Sequence, residues 1–148
     1  MLTNVQNRRQ TLMADQRVLI VEDEFLIALD VAETVEAMGL QVAGLANGRN
    51  HALALAHAAD IALVDINLSD GRTGPTLGHE LIEKHGLTVI FMTANPEDLE
   101  GTDTGPLGVL TKPVMPHVIE QSLDYAVASR TGGFATVPRE LRIFPRRH

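Results

Sequence analysis

Five short apolar runs constrain this chain of 148 residues more than anything else in it: RVLIV (17–21), QVAGLA (41–46), IALV (61–64), TVIFM (88–92) and LGVL (107–110). Each is strand-length and mostly unbroken rather than alternating. Such a strand has no face to offer water, so the sheet it joins must be covered on both sides. Parallel strands also need crossover connections, usually helices. The sequence between the runs supplies them. In FLIALDVAETVEAMGL, residues Ala28, Ala32, Val35 and Met38 follow helical spacing, and Gly39 is a plausible stop. Further helices fit 49–59, 77–85 (ending at Gly86) and 115–128. The alternation predicts an α/β fold with a doubly wound, five-stranded parallel sheet. The fourth crossover is the exception. Pro96, Gly101, Gly105 and Pro106 punctuate it. Asn95 suits a cap and Pro96 a first helical position, so a short turn through Glu100 is expected there.

Composition narrows the class. With no cysteine, disulfide scaffolds, thiolate metal sites and cysteine catalysis are excluded. No stretch reaches the about 18 apolar residues of a membrane span. The start, MLTNVQNRRQTLMADQ, has no apolar core of a secretory signal, so a cytoplasmic protein is expected. The net charge of −7 is unevenly spread. Residues 17–128 carry five basic against seventeen acidic side chains, whereas 1–16 and 129–148 carry seven arginines against Asp15 and Glu140. An acidic body argues against DNA binding by the fold itself. The sequence therefore divides into an N-terminal extension (1–16), a folded domain (17–128) and a basic tail (129–148). In the tail, Phe134, Val137, Leu141, Ile143 and Phe144 either dock on the body or a partner, or the segment stays unstructured.

In open parallel sheets functional groups gather at the carboxyl ends of the strands. Here the first strand ends in Glu22-Asp23-Glu24, the third in Asp65, the fourth in Thr93 and the fifth in Lys112-Pro113. Each has a bland explanation alone: acids favour a helix N-terminus, Asp65 can fold an Asx-turn, and Thr93 can cap a turn. Together their chemistry interlocks. Crowded carboxylates repel and raise one another's pKa. Mg²⁺ offsets that repulsion, since it takes a few carboxylate oxygens plus water and phosphate oxygens. Asp65 can then serve as a nucleophile toward phosphorus, with Lys112 and Thr93 placed for the phosphoryl oxygens.

VLIVEDE, LVDINL, FMTA and LTKP, in this order on successive units, resemble the receiver domain of two-component response regulators, over about residues 17–128. The resemblance implies a flavodoxin-like sheet of order 2-1-3-4-5. It implies that Glu22 and Asp23 are the acidic Mg²⁺ pair and Asp65 the phosphoacceptor. The backbone carbonyl of Asn67 would complete the metal's protein ligands. Thr93 would be the switch hydroxyl and Lys112 the phosphate-contacting lysine, ahead of a cis Pro113. Its partners would be a histidine kinase or phosphotransfer protein and a downstream protein target, and a homodimer is allowed. The opening VEDEFLIALD is similar to small stand-alone receivers serving HWE-type histidine kinases.

The chain departs from that family in three places. Val109 stands where a rotating aromatic is usual. NLSDGRTGPTLG, after Asp65, has Ser69 where proline is common. The fourth helix is shortened, so a flexible 95–106 segment rather than an aromatic rotor is expected to carry the signal. A calcium loop is excluded, because Asp70 and Thr76 stand where glycine and a bidentate Glu are needed. The six histidines show no metal-ligand spacing. The expected function is therefore that of a stand-alone receiver with only self-phosphorylation and dephosphorylation chemistry. The alternatives are a phosphorylation-independent binding module and a Mg²⁺-dependent phosphatase. The second lacks an acid, because Asp65-Ile66-Asn67 has no second Asp.

Overall fold

Alternate side chains of each strand point to opposite faces of a sheet, and this sorts the core into two layers. The computed structural model describes residues 13, 15–68, 71, 73–99 and 105–144. Its elements in chain order are β1 (Arg17–Val21), α1 (Phe25–Ala37), β2 (Gln41–Ala46), α2 (Arg49–Leu55), β3 (Ile61–Asp65), α3 (Gly74–His85), β4 (Thr88–Thr93), β5 (Gly108–Thr111), α4 (Pro116–Thr131) and β6 (Arg142–Ile143). Val18, Ile20, Ile61, Leu63, Ile90 and Met92 pack under α1 and α4, against Ala28, Val35, Ile119 and Leu123. Leu19, Val21, Ala62, Val64, Val89 and Phe91 pack the other way, against Ala52 of α2 and Leu77 and Leu81 of α3. Each fully buried Leu, Ile, Val or Phe side chain contributes ~1.5–3 kcal/mol by leaving water. The unbroken apolar strands are therefore what keeps the helices on both faces.

The sheet runs β2-β1-β3-β4-β5-β6. The five strands read from the sequence are parallel and in the expected order. The sixth corrects the five-stranded expectation: Arg142–Ile143 pairs antiparallel with Gly108 and Val109. The tail thus docks on the body, with Leu141 and Phe144 buried. Two residues alone carry no strand period, so only the waiting edge of β5 defines them as a strand.

Helix boundaries shift for local reasons. The second helix ends at Leu55 and tightens into a 3₁₀ turn over Ala56–Ala58. The third begins at Gly74 rather than 77, since Pro75 is tolerated in a first turn. The last runs past 128 to Thr131. Gly39 (φ 89) and Gly86 (φ 68) hold the positive φ expected of helix stops. In the fourth crossover a 3₁₀ turn, Pro96–Leu99, replaces a helix and buries Leu99. Residues 100–104, the centre of the expected flexible segment, lie outside the described residues, as do Ser69, Asp70 and most of the N-terminal extension. Met13, from that extension, is buried in the layer under α1.

Candidate functional site

The parallel register brings the strand ends to one rim. Glu22 follows the last residue of β1, and its backbone N–H still donates to Ala46 O at 2.9 Å. Asp65 closes β3 opposite Met92 of β4, and the next N–H, from Ile66, donates to Met92 O at 3.1 Å. Thr93 closes β4 opposite Thr111, and the Lys112 N–H donates to Thr93 O at 2.8 Å. The Lys112–Pro113 peptide is cis. Glu22, Asp23, Asp65, Thr93 and Lys112 therefore lie on one rim.

The charged groups interlock. Lys112 Nζ donates to Glu22 Oε1 and to Asp65 Oδ2, both at 3.0 Å. Asp65 Oδ1 accepts the Asn67 backbone N–H at 3.1 Å. Glu22, Asp65 and Thr93 are buried, whereas Asp23 is half-buried. Carboxylate oxygens of Glu22, Asp23 and Asp65 all lie within 4.8 Å of one another.

These surroundings push the two central acids apart. Burial, then the hydrogen bond to Asp65, raises the Glu22 carboxyl to about 8. Burial also acts on Asp65, but hydrogen bonds from Glu22, Lys112 and the Asn67 N–H outweigh it and hold its carboxyl below the usual value. Lys112 loses solvent, yet the two acids hold its ammonium above its ordinary pKa. The two neighbouring carboxyls are thus pushed in opposite directions, Glu22 upward and Asp65 downward. That divergence is how a low dielectric relieves two acids held in contact.

A divalent cation fits the donor set. Three hard oxygen ligands converge there, and Glu22 Oε2 is buried without a hydrogen-bond partner. A buried carboxylate oxygen left unpaired is costly, and a hard cation would satisfy it. Thr93 Oγ1 accepts the Asn95 N–H at 3.0 Å, which leaves its own proton to donate. The strand-end pattern missed one relationship. It assigned Lys112 to phosphate alone, but here the ammonium also clamps Glu22 to Asp65. No spacing rule reports a contact between residues 22 and 112.

Two apolar side chains stand beside this rim in water. Phe25 and Leu26, at the start of α1, are 64% and 75% exposed. Among the described residues no helix is long and apolar enough to cross a membrane.

Comparison with known proteins places the fold in a family. The family model of the response regulator receiver domain matches residues 18–124. The chain is 36% identical over 121 residues to the phyllosphere-induced regulator PhyR of Methylorubrum extorquens, covering 76% of this chain and 45% of that protein. It is 30% identical over 118 residues to the transcriptional regulatory protein PdtaR of Mycobacterium tuberculosis, covering 76% and 57%. The chain thus spans about half the length of the curated relatives it matches. Among solved structures, PhyR of Brucella abortus superposes with a TM-score of 0.71 at 32% identity, over 85% of this chain and 54% of that one. PhyR of Bartonella quintana, described as an anti-anti-sigma factor, gives 0.70 at 31%, over 85% and 54%.

Proposed function

The chain belongs to the response regulator receiver domain family, and on that premise we propose that it accepts a phosphoryl group onto Asp65 from a histidine kinase or phosphotransfer protein. Its signal would then pass through protein contacts. The observation that carries this reading is the position of Asp65. Its carboxylate accepts from Lys112 Nζ and the Asn67 N–H, among oxygens suited to a divalent cation.

In this reading an Asp65 carboxylate oxygen attacks phosphorus, and the bond from phosphorus to the donor's imidazole nitrogen breaks with its electron pair. The acyl phosphate later loses its phosphoryl group to water. Glu22, Asp23, Asp65 and the Asn67 carbonyl would hold Mg²⁺, which supplies positive charge for the phosphoryl oxygens. Lys112 exchanges one carboxylate contact for a phosphoryl oxygen. Thr93 donates its proton to another, and its Asn95 contact ties that event to the turn at 96–99. With Val109 buried where the family's aromatic rotor stands, the 95–106 segment carries the signal. The exposed Phe25 and Leu26 beside the acidic rim offer the donor an apolar landing.

The acidic body speaks for protein output rather than DNA contact. Likeness to PhyR, described in one organism as an anti-anti-sigma factor, points the same way. A cytoplasmic location suits a kinase partner. Incubation with Mg²⁺ and acetyl phosphate, read by intact mass, tests the reading. One phosphoryl group per chain is expected, and none on Asp65→Asn. Labelling that survives this substitution would remove Asp65 from its role. No labelling at all would favour a phosphorylation-independent module, and rapid multiple turnover of phosphate esters a phosphatase.

A further inference from the structure

The segment after α4 is held at the sheet by two anchors on opposite faces. A turn closed by the Leu141 N–H on Pro138 O, at 3.0 Å, delivers the chain to the outer edge of β5. Leu141, 3% exposed, enters the layer under α1 and α4. Phe144, 9% exposed, enters the opposite layer with Leu99 and Val109. Arg142 and Ile143 between them face solvent. The segment clips over the edge of the sheet.

Strand β5 is shaped for this visitor. Gly108 opens the strand, and a glycine in a strand often marks a place where another backbone approaches closely. A Cβ there would lie 2.5 Å from Arg142 O and 3.0 Å from Leu141 Cδ1. The occupant is nevertheless shorter than the site. It pairs with Gly108 and Val109, while Leu110 and Thr111 continue the same strand beyond its reach. An extended segment running the length of β5 would make ladder contacts that the tail does not. The residues linking α4 to the clip, 133–137, have no regular structure, and Phe134 among them is fully exposed.

We propose that the outer edge of β5 is a recognition site for an extended partner segment carrying two apolar anchors three residues apart, and that residues 141–144 are its resident, self-blocking occupant. Strand addition of this kind takes affinity from the ladder and specificity from anchor side chains. A tethered competitor has a high effective concentration, so it must be outmatched rather than merely met. The site does not depend on the chemistry of Asp65.

A fluorescent peptide of residues 138–144, titrated into the full-length chain and read by anisotropy, tests this. The full-length double variant Leu141→Asp/Phe144→Asp should bind it at least about tenfold more tightly than the unsubstituted chain. Adding Gly108→Val to that variant should abolish binding. Equal binding by the folded double variant and the unsubstituted chain, or binding that Gly108→Val leaves intact, would overturn the proposal. Hydrogen exchange on the unsubstituted chain gives a reading independent of variant folding. Excess peptide should speed exchange at 142–144 and leave β1 and β3 unchanged. Unchanged exchange at 142–144 would count against a displaceable strand. A stable dimer that trades tails on mixing would overturn the assignment of the occupant to its own chain.

Discussion

Glu22 and Asp65, at the ends of the paired strands β1 and β3, share a single ammonium, with Lys112 Nζ 3.0 Å from an oxygen of each. Two acids that would repel are bridged by one cation.

Removing that ammonium should expose the repulsion. Lys112→Met is expected to cost ~1–3 kcal/mol of stability, the range for a hydrogen bond to a charged group. Millimolar Mg²⁺ should return part of the loss, because it supplies the missing positive charge. Urea unfolding with and without Mg²⁺ checks this. An equal loss in both conditions would mean that Lys112 acts through packing.

Cation binding should depend on pH. With the Glu22 carboxyl at about 8, a proton competes for the same oxygens below that value. Mg²⁺ affinity should therefore rise by up to about tenfold per pH unit between pH 6 and 8, then level off. Calorimetric titration in buffers of different ionisation enthalpy would show a proton released on binding near pH 7. A flat profile would place the cation away from Glu22.

The pair of Arg49 and Glu80 ties α2 to α3 through two bonds of 2.8 Å. The Arg49 guanidinium, aided by Lys84, holds the Glu80 carboxyl below its ordinary value. A depressed folded-state pKa stabilises above the unfolded pKa of 4.5, and the gain is lost as pH falls through the folded value. Arg49→Ala should lower stability by ~0.5–1 kcal/mol at neutral pH. The gap should shrink as Glu80 protonates. Denaturant midpoints at pH 7 and about pH 3 make the comparison.

Helix α3 sits so close to β4 that a Cβ on Gly78 would meet Phe91 Cζ at 2.4 Å. Phe91 is fully buried and cannot step aside. Gly78→Ala gains helix propensity of ~1 kcal/mol but overpacks the core by ~1–3 kcal/mol. Net destabilisation is expected in thermal unfolding. A stabilised variant would show that the α3–β4 layer is looser than these distances indicate.

Much of this molecule is legible from the chain alone, for identifiable reasons. Val18 to Val21 and Ile61 to Val64 read as strands because burial on both faces writes itself as an unbroken apolar run. Glu22, Asp65, Thr93 and Lys112 could be grouped because parallel order puts every strand end on one rim. What was not legible lives in pairwise geometry. Lys112 bridging two acids, and Gly108 accommodating Arg142, depend on residues distant in sequence. The sixth strand was invisible for the same reason, since β6 borrows its definition from β5. The start of α3 was misjudged because Gly74 and Pro75 read locally as breakers, yet both fit a first turn.

The clip of Leu141 and Phe144 over β5 also bears on how copies of this chain can assemble. A sheet with two bare flanks can add neighbours indefinitely, as a ribbon does. Here β6, only two residues long, covers part of one flank at Gly108 and Val109, and among the described residues β2 forms the other, longer flank. Two copies meeting there would close on themselves as a symmetric pair. A two-residue outer strand thus offers little ladder for polymer growth on that side of the sheet.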